Sequence, residues 1–376
     1  MKPALLLIAA GAFALGDLTG VFSGSLDHPA IEYTTRPVDD AVARLNRRID
    51  QGLALTYEPQ HGYLPALLAA LNIPVESQIA TFAKASFQQH LIGPNNARAI
   101  YFNDSVVVGW VRGAAMLEVA SEDPRQGTIF YALSQRPGGR AKLVRRDDCL
   151  TCHESYDTLG VPGMLLRSVY PDRGGNLQRE FGSFNTDHRL AFEHRWGGWF
   201  VTAATPLPKS LGNTFFRSVT DAEPAKPDLT GYLSPGSDIA ALMAFDHQMR
   251  MTNLLTRVGW EARFAAHENR MTAAKLEALA SETARFLLFA DEPKLESPLR
   301  GLSGFAESFA ARGPLRQFDL NTRMMKYRCS YMIYSEAFDA LPDDLRTAIS
   351  RHIAETLQAD GETATLEILR ATKQGF

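Results

Sequence analysis

Cysteine is scarce in this chain, with 3 in 376 residues, too few for a disulfide scaffold. An excess of one charge is missing too. The 39 basic and 42 acidic residues give a formal charge of -3 and form no long block of either sign, which argues against nucleic acid and anionic membranes as partners. Past the N terminus no apolar run is long enough to cross a bilayer. The mature chain is therefore expected to carry no membrane span. There is no internal repeat and no low-complexity tract. What remains is a globular balance of 45% hydrophobic and 22% charged residues, at a length that fits two ordinary domains or one large one.

The chain opens with one lysine, an apolar run from Ala4 to Leu15 and small residues that include Ala12-Phe13-Ala14. That pattern is a secretory signal, shorter than a spanning helix. Residues 1–22 are read as a signal peptide or N-terminal anchor, and the protein as periplasmic or otherwise exported. Residues 23–376 are read as a single large domain with a possible sub-boundary near 215–235.

Helical spacing predicts a helix at "DDAVARLNRRIDQG", with Val42, Leu45 and Ile49 on one face, and continues through "YLPALLAALNI" and "ESQIATFAKASFQQHLI". β-Branched and aromatic segments broken by turn signals predict a small antiparallel sheet at about 97–145. Residues 174–230 read as irregular but packed. A capped helix is expected from Ser237-Asp238 to Gly259, followed by helices in "TAAKLEALASETARFLLFA", "PDDLRTAISRHIAETLQ" and "GETATLEILRATK". The expected class is α+β with a mostly helical C-terminal half.

Two of the three cysteines stand at Cys149-Leu150-Thr151-Cys152-His153, directly after the last predicted strand. In a Cys-x-x-Cys-His segment two thiols add across the two vinyl groups of haem, and the next residue turns its imidazole onto the iron. The motif reads as c-type haem attachment, with one covalent haem c as cofactor. Chance yields such a segment on the order of once in a thousand chains of this composition. Three competing readings stay open. A zinc site would need about four ligands, and Cys329 is the one further sulfur of cysteine. A thioredoxin-like dithiol would need a βαβ setting, and a structural disulfide is the plainest option.

With "GVPG", "RWGGW" and "DHQMRMTNLLTR", the "CLTCH" segment makes residues of about 80 to 340 resemble a group of large bacterial single-haem cytochromes. The resemblance implies haem binding and electron transfer and supplies no substrate. Only the motif matches the small class I cytochromes c, whose simple fold is not expected here.

His153 supplies one axial position, and the second ligand decides whether iron only passes electrons. The candidates are His247, mid-helix on a stripe with Met243, Met251 and Leu254, and Met164, eleven positions after His153. Weaker ones are Met249, Met251, His90, His188, His194 and Cys329. Arg145, Arg146, Arg167 and Arg195 are candidates to pair with haem propionates. Trp196 and Trp199 flank Gly197-Gly198, a pair that permits close approach to a flat ring. Each has a plain alternative in core packing or solvated surface. A second stripe, Asp246, Arg250, Asn253 and Arg257, most simply faces solvent or other polar groups.

The leading functional expectation is an exported mono-haem cytochrome that exchanges electrons with a redox partner protein. The alternative is a haem enzyme of peroxidase type, or a small-ligand sensor, with an open or weakly held sixth site near His247.

Overall fold

The computed structural model describes residues 20–138 and 141–376. The N-terminal run read as an export signal lies outside them. The architecture is α+β, built on a seven-stranded antiparallel sheet. Helices α1 (Ala41–Asp50) and α2 (Leu64–Ala70) precede strands β1 (Ile79–Thr81), β2 (Arg98–Phe102), β3 (Val106–Trp110), β4 (Met116–Asp123), β5 (Gly127–Ser134) and β6 (Val144–Arg145). The turns between strands follow from side chains that bond their own backbone. Asn103 Oδ1 accepts from the amides of Ser105 and Val106. Asp123 Oδ1 accepts from those of Arg125 and Gln126, and Gly127 adopts φ +82.

Helix α3 (Leu150–His153) is one turn. Beyond it lie β7 (Arg167–Val169) paired with β8 (Ser183–Asn185), then β9 (Trp199–Phe200), and β10 (Thr214–Phe216) paired with β11 (Ala222–Pro224). The long α4 (Ile239–His267) is followed by α5 (Ala273–Leu287), α6 (Phe305–Ala310), α7 (Glu336–Asp339), α8 (Asp343–Ala359) and α9 (Thr363–Thr372). The sheet order is β6-β5-β4-β3-β2-β1-β9, so the chain leaves at one edge and returns to pair at the other.

Alternation along the strands makes two cores. Ile100, Phe102, Val107, Ala120 and Phe130 face α4 and the C-terminal helices. Tyr101, Val108, Val119, Tyr131 and Leu133 face α1, α2 and the N-terminal segment. Both faces of the sheet are thereby covered.

Two predicted elements are corrected. Residues 76–92 were expected to be helical, yet β1 forms within them. The Gln78 side chain donates to the carbonyls of Ser234 and Gly236 and accepts from Tyr101 Oη, which holds this stretch to the sheet. Helix α4 does not stop at Gly259 but runs eight residues further, to His267. A Cβ at Gly259 would lie 3.2 Å from Leu341 Cδ2, so this glycine is there for packing. Asp238 caps α4 by accepting from the amides of Ala240 and Ala241. Among the described residues no helix is long and apolar enough to cross a membrane.

Candidate functional site around Cys149, Cys152 and His153

The chain leaves the edge strand β6, passes through a 3-10 turn at Asp147–Cys149 and enters α3; Cys149 is half-buried and Cys152 exposed, both as free thiols. His153 is anchored by a two-way bond to the "GVPG" segment. The Gly163 amide donates to the His153 carbonyl at 2.9 Å, and His153 Nδ1 lies 2.9 Å from the Gly163 carbonyl. A carbonyl only accepts, so Nδ1 carries the proton and Nε2 keeps its lone pair. Nε2 makes no hydrogen bond among the described residues. Phe130 lies against the ring at 4.8 Å, and burial lowers the imidazole pKa, favouring the neutral form.

Helix α4 holds this segment from the far side. Asn253 Oδ1 accepts from the Met164 amide at 3.1 Å, and Asn253 Nδ2 donates to the Met164 carbonyl at 2.8 Å. A Cβ at position 163 would fall 2.2 Å from Asn253 Oδ1, so only glycine fits. The Thr128 amide of β5 donates to the Pro162 carbonyl at 3.3 Å. The imidazole is thus positioned by the sheet and α4 together, through a loop that touches both.

Beside the motif, Arg98 reaches diagonally from β2 over β3 to Glu118 on β4, where the two charges meet at 2.6 Å. It crosses at Gly109, where a Cβ would stand 2.5 Å from the guanidinium. Arg98 Nε is buried and unpartnered. Both charges act on His153 and on Cys149. Burial pushes the Cys149 thiol up to about 11, and the Asp148 and Glu118 charges add to it. Sequence reasoning missed Arg98 and Glu118. Their signal was present, because each is a charged residue in phase with core-facing positions, Arg98 with Ile100 and Phe102, and Glu118 with Ala120.

The structure does not bring His247 to His153. His247 is fully buried, with Nδ1 2.9 Å from His188 Nδ1 and Nε2 2.7 Å from Ser330 Oγ, between Phe286 and Phe289. His188 Nε2 lies 3.3 Å from the Ala290 carbonyl and must donate to it. The proton order follows: Ser330 donates to His247 Nε2, and His247 Nδ1 donates to His188 Nδ1. Both ring nitrogens of His247 are engaged in this chain, and burial holds both imidazoles neutral, with His188 lowered to about 4.

Arg195 and Trp196 belong to this interior as well. The Arg195 guanidinium is buried, donates to the Leu190 and His188 carbonyls, and lies 3.8 Å from Asp246. Trp196 Nε1 donates to Asp246 at 3.0 Å. The Gly197-Gly198 pair does allow a close approach, but to protein: a Cβ at 197 would be 2.1 Å from the Val169 carbonyl, and one at 198 would be 2.7 Å from Ala83. Arg167 is exposed, pairs with Asp157 and acts on His153. Arg146 pairs with Asp148 beside Cys149, and Arg145 pairs with Asp147 and lies over the Tyr33 ring.

The Met164 backbone is bound next to the His153 anchor, while its side chain lines a small cavity with Val107, Ala120, Glu122 and Met249. Cys329 is buried, and its thiol is pushed up to about 12 by desolvation. The stripe read as facing solvent or polar groups is interior. Asp246 meets Trp196, Arg250 donates to the Asp157 carbonyl, Asn253 holds Met164, and Arg257 pairs with Glu261 and Glu282.

No protein-family model, curated protein or solved structure matches the chain.

Proposed function

We propose that this chain is an electron-transferring c-type haem protein, with haem bonded through Cys149 and Cys152 and its iron held by His153 Nε2. The observation that carries the reading is the His153 anchor: Nδ1–H is directed to the Gly163 carbonyl, leaving Nε2 with its lone pair on the residue that follows two unpaired thiols in the chain. The donor set fits the group. Among the described residues neither thiol joins a cluster of three ligating side chains, which favours haem over a tetrahedral zinc site.

Bound haem supplies a one-electron couple. The Gly163 carbonyl fixes the imidazole tautomer and ring orientation, Asn253 fixes Gly163-Met164, and Phe130 screens one side of the ring from water. The Arg98–Glu118 pair sets the local field. Export belongs to the same proposal, resting on the apolar run from Ala4 to Leu15, as does a redox partner protein. Both ring nitrogens of His247 are engaged, which disfavours an enzyme or sensor site there.

The test is the intact mass of denatured protein made in a host with haem-attachment machinery. One added haem is expected, lost in a Cys149→Ala/Cys152→Ala variant. Apoprotein mass in the wild type, from a host that loads a control cytochrome, would overturn the reading.

A further inference from the structure

At the far end of α4, well removed in sequence from the motif, three ligating side chains converge. His28, His267 and Glu268 place one ligand atom each within 4.8 Å of one another. His267 is the last residue of α4 and Glu268 its C-cap, while His28 comes from a turn-rich N-terminal segment 240 positions away. The helix end supplies partial negative charge from its last carbonyls, and Glu268 adds a full one, which favours a cation there.

The three groups are differently engaged. His28 Nε2 stands 3.2 Å from Glu268 Oε1, and Arg270 holds the other carboxylate oxygen at 3.0 Å. The His267 ring is exposed, meets His28 edge-on at 5.0 Å, and makes no hydrogen bond among the described residues. Its nitrogens are therefore available to a metal. Two imidazoles and a carboxylate are a borderline-soft donor set that suits zinc, with one position left for water. Ligands bound at about 2.1 Å in a tetrahedron stand about 3.4 Å apart, a contraction that rotation of the exposed His267 side chain allows.

We propose that these residues bind one zinc ion, which clasps the N-terminal segment to the end of α4. The proposal is independent of the haem reading. It also dictates where a proton goes. The Ala30 amide now donates to His28 Nδ1 at 3.2 Å, so Nε2 carries the ring proton. Zinc takes the Nε2 lone pair, the proton moves to Nδ1, and the Ala30 amide loses its acceptor.

The test is calorimetric titration of chelator-treated, zinc-free full-length protein with zinc chloride, alongside the amide resonance of Ala30. The experiment is run on wild type, on His267→Ala and Glu268→Gln, and on Cys149→Ser/Cys152→Ser to remove the other thiol pair. We expect one equivalent bound, at least a tenfold loss of affinity in His267→Ala and Glu268→Gln, and unchanged binding in the cysteine variant. The Ala30 resonance should move on zinc addition in wild type and stay put in His267→Ala. Because His267 is exposed, its loss spares the fold, and equal unfolding temperatures without zinc check this. Undiminished binding in His267→Ala, binding lost only with the cysteines, or no binding in wild type would each overturn the site.

Discussion

Asn253 commits both ends of its amide to the backbone of one residue, Met164, and so fixes the loop that orients His153. Asn253→Ala leaves a buried amide and carbonyl without partners. It is expected to destabilise the protein by about 2–4 kcal/mol in urea unfolding; a loss below about 0.5 kcal/mol would show that the loop holds itself. A second residue, Glu122, gives a pH signature. Its carboxylate accepts from Thr128 Oγ1 at 3.0 Å and Thr256 Oγ1 at 3.1 Å, and burial pushes its pKa up to about 8. The unfolded value is about 4.3. A carboxyl raised in the folded state contributes stability that is complete below the unfolded pKa and is lost as pH rises through the folded one. Glu122→Gln mimics the protonated form, so it should match wild type within about 0.5 kcal/mol at pH 4 and exceed it by several kcal/mol, up to about 5, at pH 9. Equal stabilities of the two proteins at pH 9 would refute this account of Glu122.

At the scale of elements, α4 organises the interior: 23 of its 29 residues are buried. Its N-cap is also a junction. Besides the amides of Ala240 and Ala241, the Asp238 carboxylate accepts from those of Leu302 and Ser303, each at 2.7 Å. Asp238→Ala removes a cap and two loop anchors together and should cost about 3 kcal/mol or more. Asp238→Asn, which keeps one acceptor, should cost less than half of that in the same thermal melts. Equal losses would mean that the charge, and not the bonding, matters.

Elements were largely legible in the sequence where periodicity spoke alone. Val42, Leu45 and Ile49 marked α1, and the β-branched runs marked β2 to β5. Legibility failed where distant partners decided. Gln78 bonds Tyr101 and also Ser234 and Gly236, the latter two 156 and 158 positions away, and nothing local announces those partners. The polar residues of α4 read as facing solvent or other polar groups, and the structure gives them polar partners in the interior, a choice that periodicity leaves open because it reports polarity and not what covers it. At the site, Cys149, Cys152 and His153 were legible as a motif, whereas the Gly163 anchor depends on a loop held by Asn253 and Thr128, and the Arg98–Glu118 crossing is a product of strand register.

At the scale of the whole molecule, neither core can be separated from the sheet, because each strand lends alternate residues to both. Helix α4 adds to the coupling, since Trp260 packs in the N-terminal core while its neighbours belong to the other. A single calorimetric unfolding transition is therefore expected, with calorimetric and van't Hoff enthalpies equal. Two resolved transitions would show that the cores melt independently.

The strand order has a kinetic meaning as well. Seven strands at about 4.8 Å spacing make a wall about 29 Å wide, and the polypeptide between β6 and β9 must traverse all of it before Trp199 and Phe200 find Ala80 and Thr81. Closure over so long a separation comes late in folding. During folding the turn that carries Cys149 and Cys152 therefore stays reachable while the return edge is still unmade.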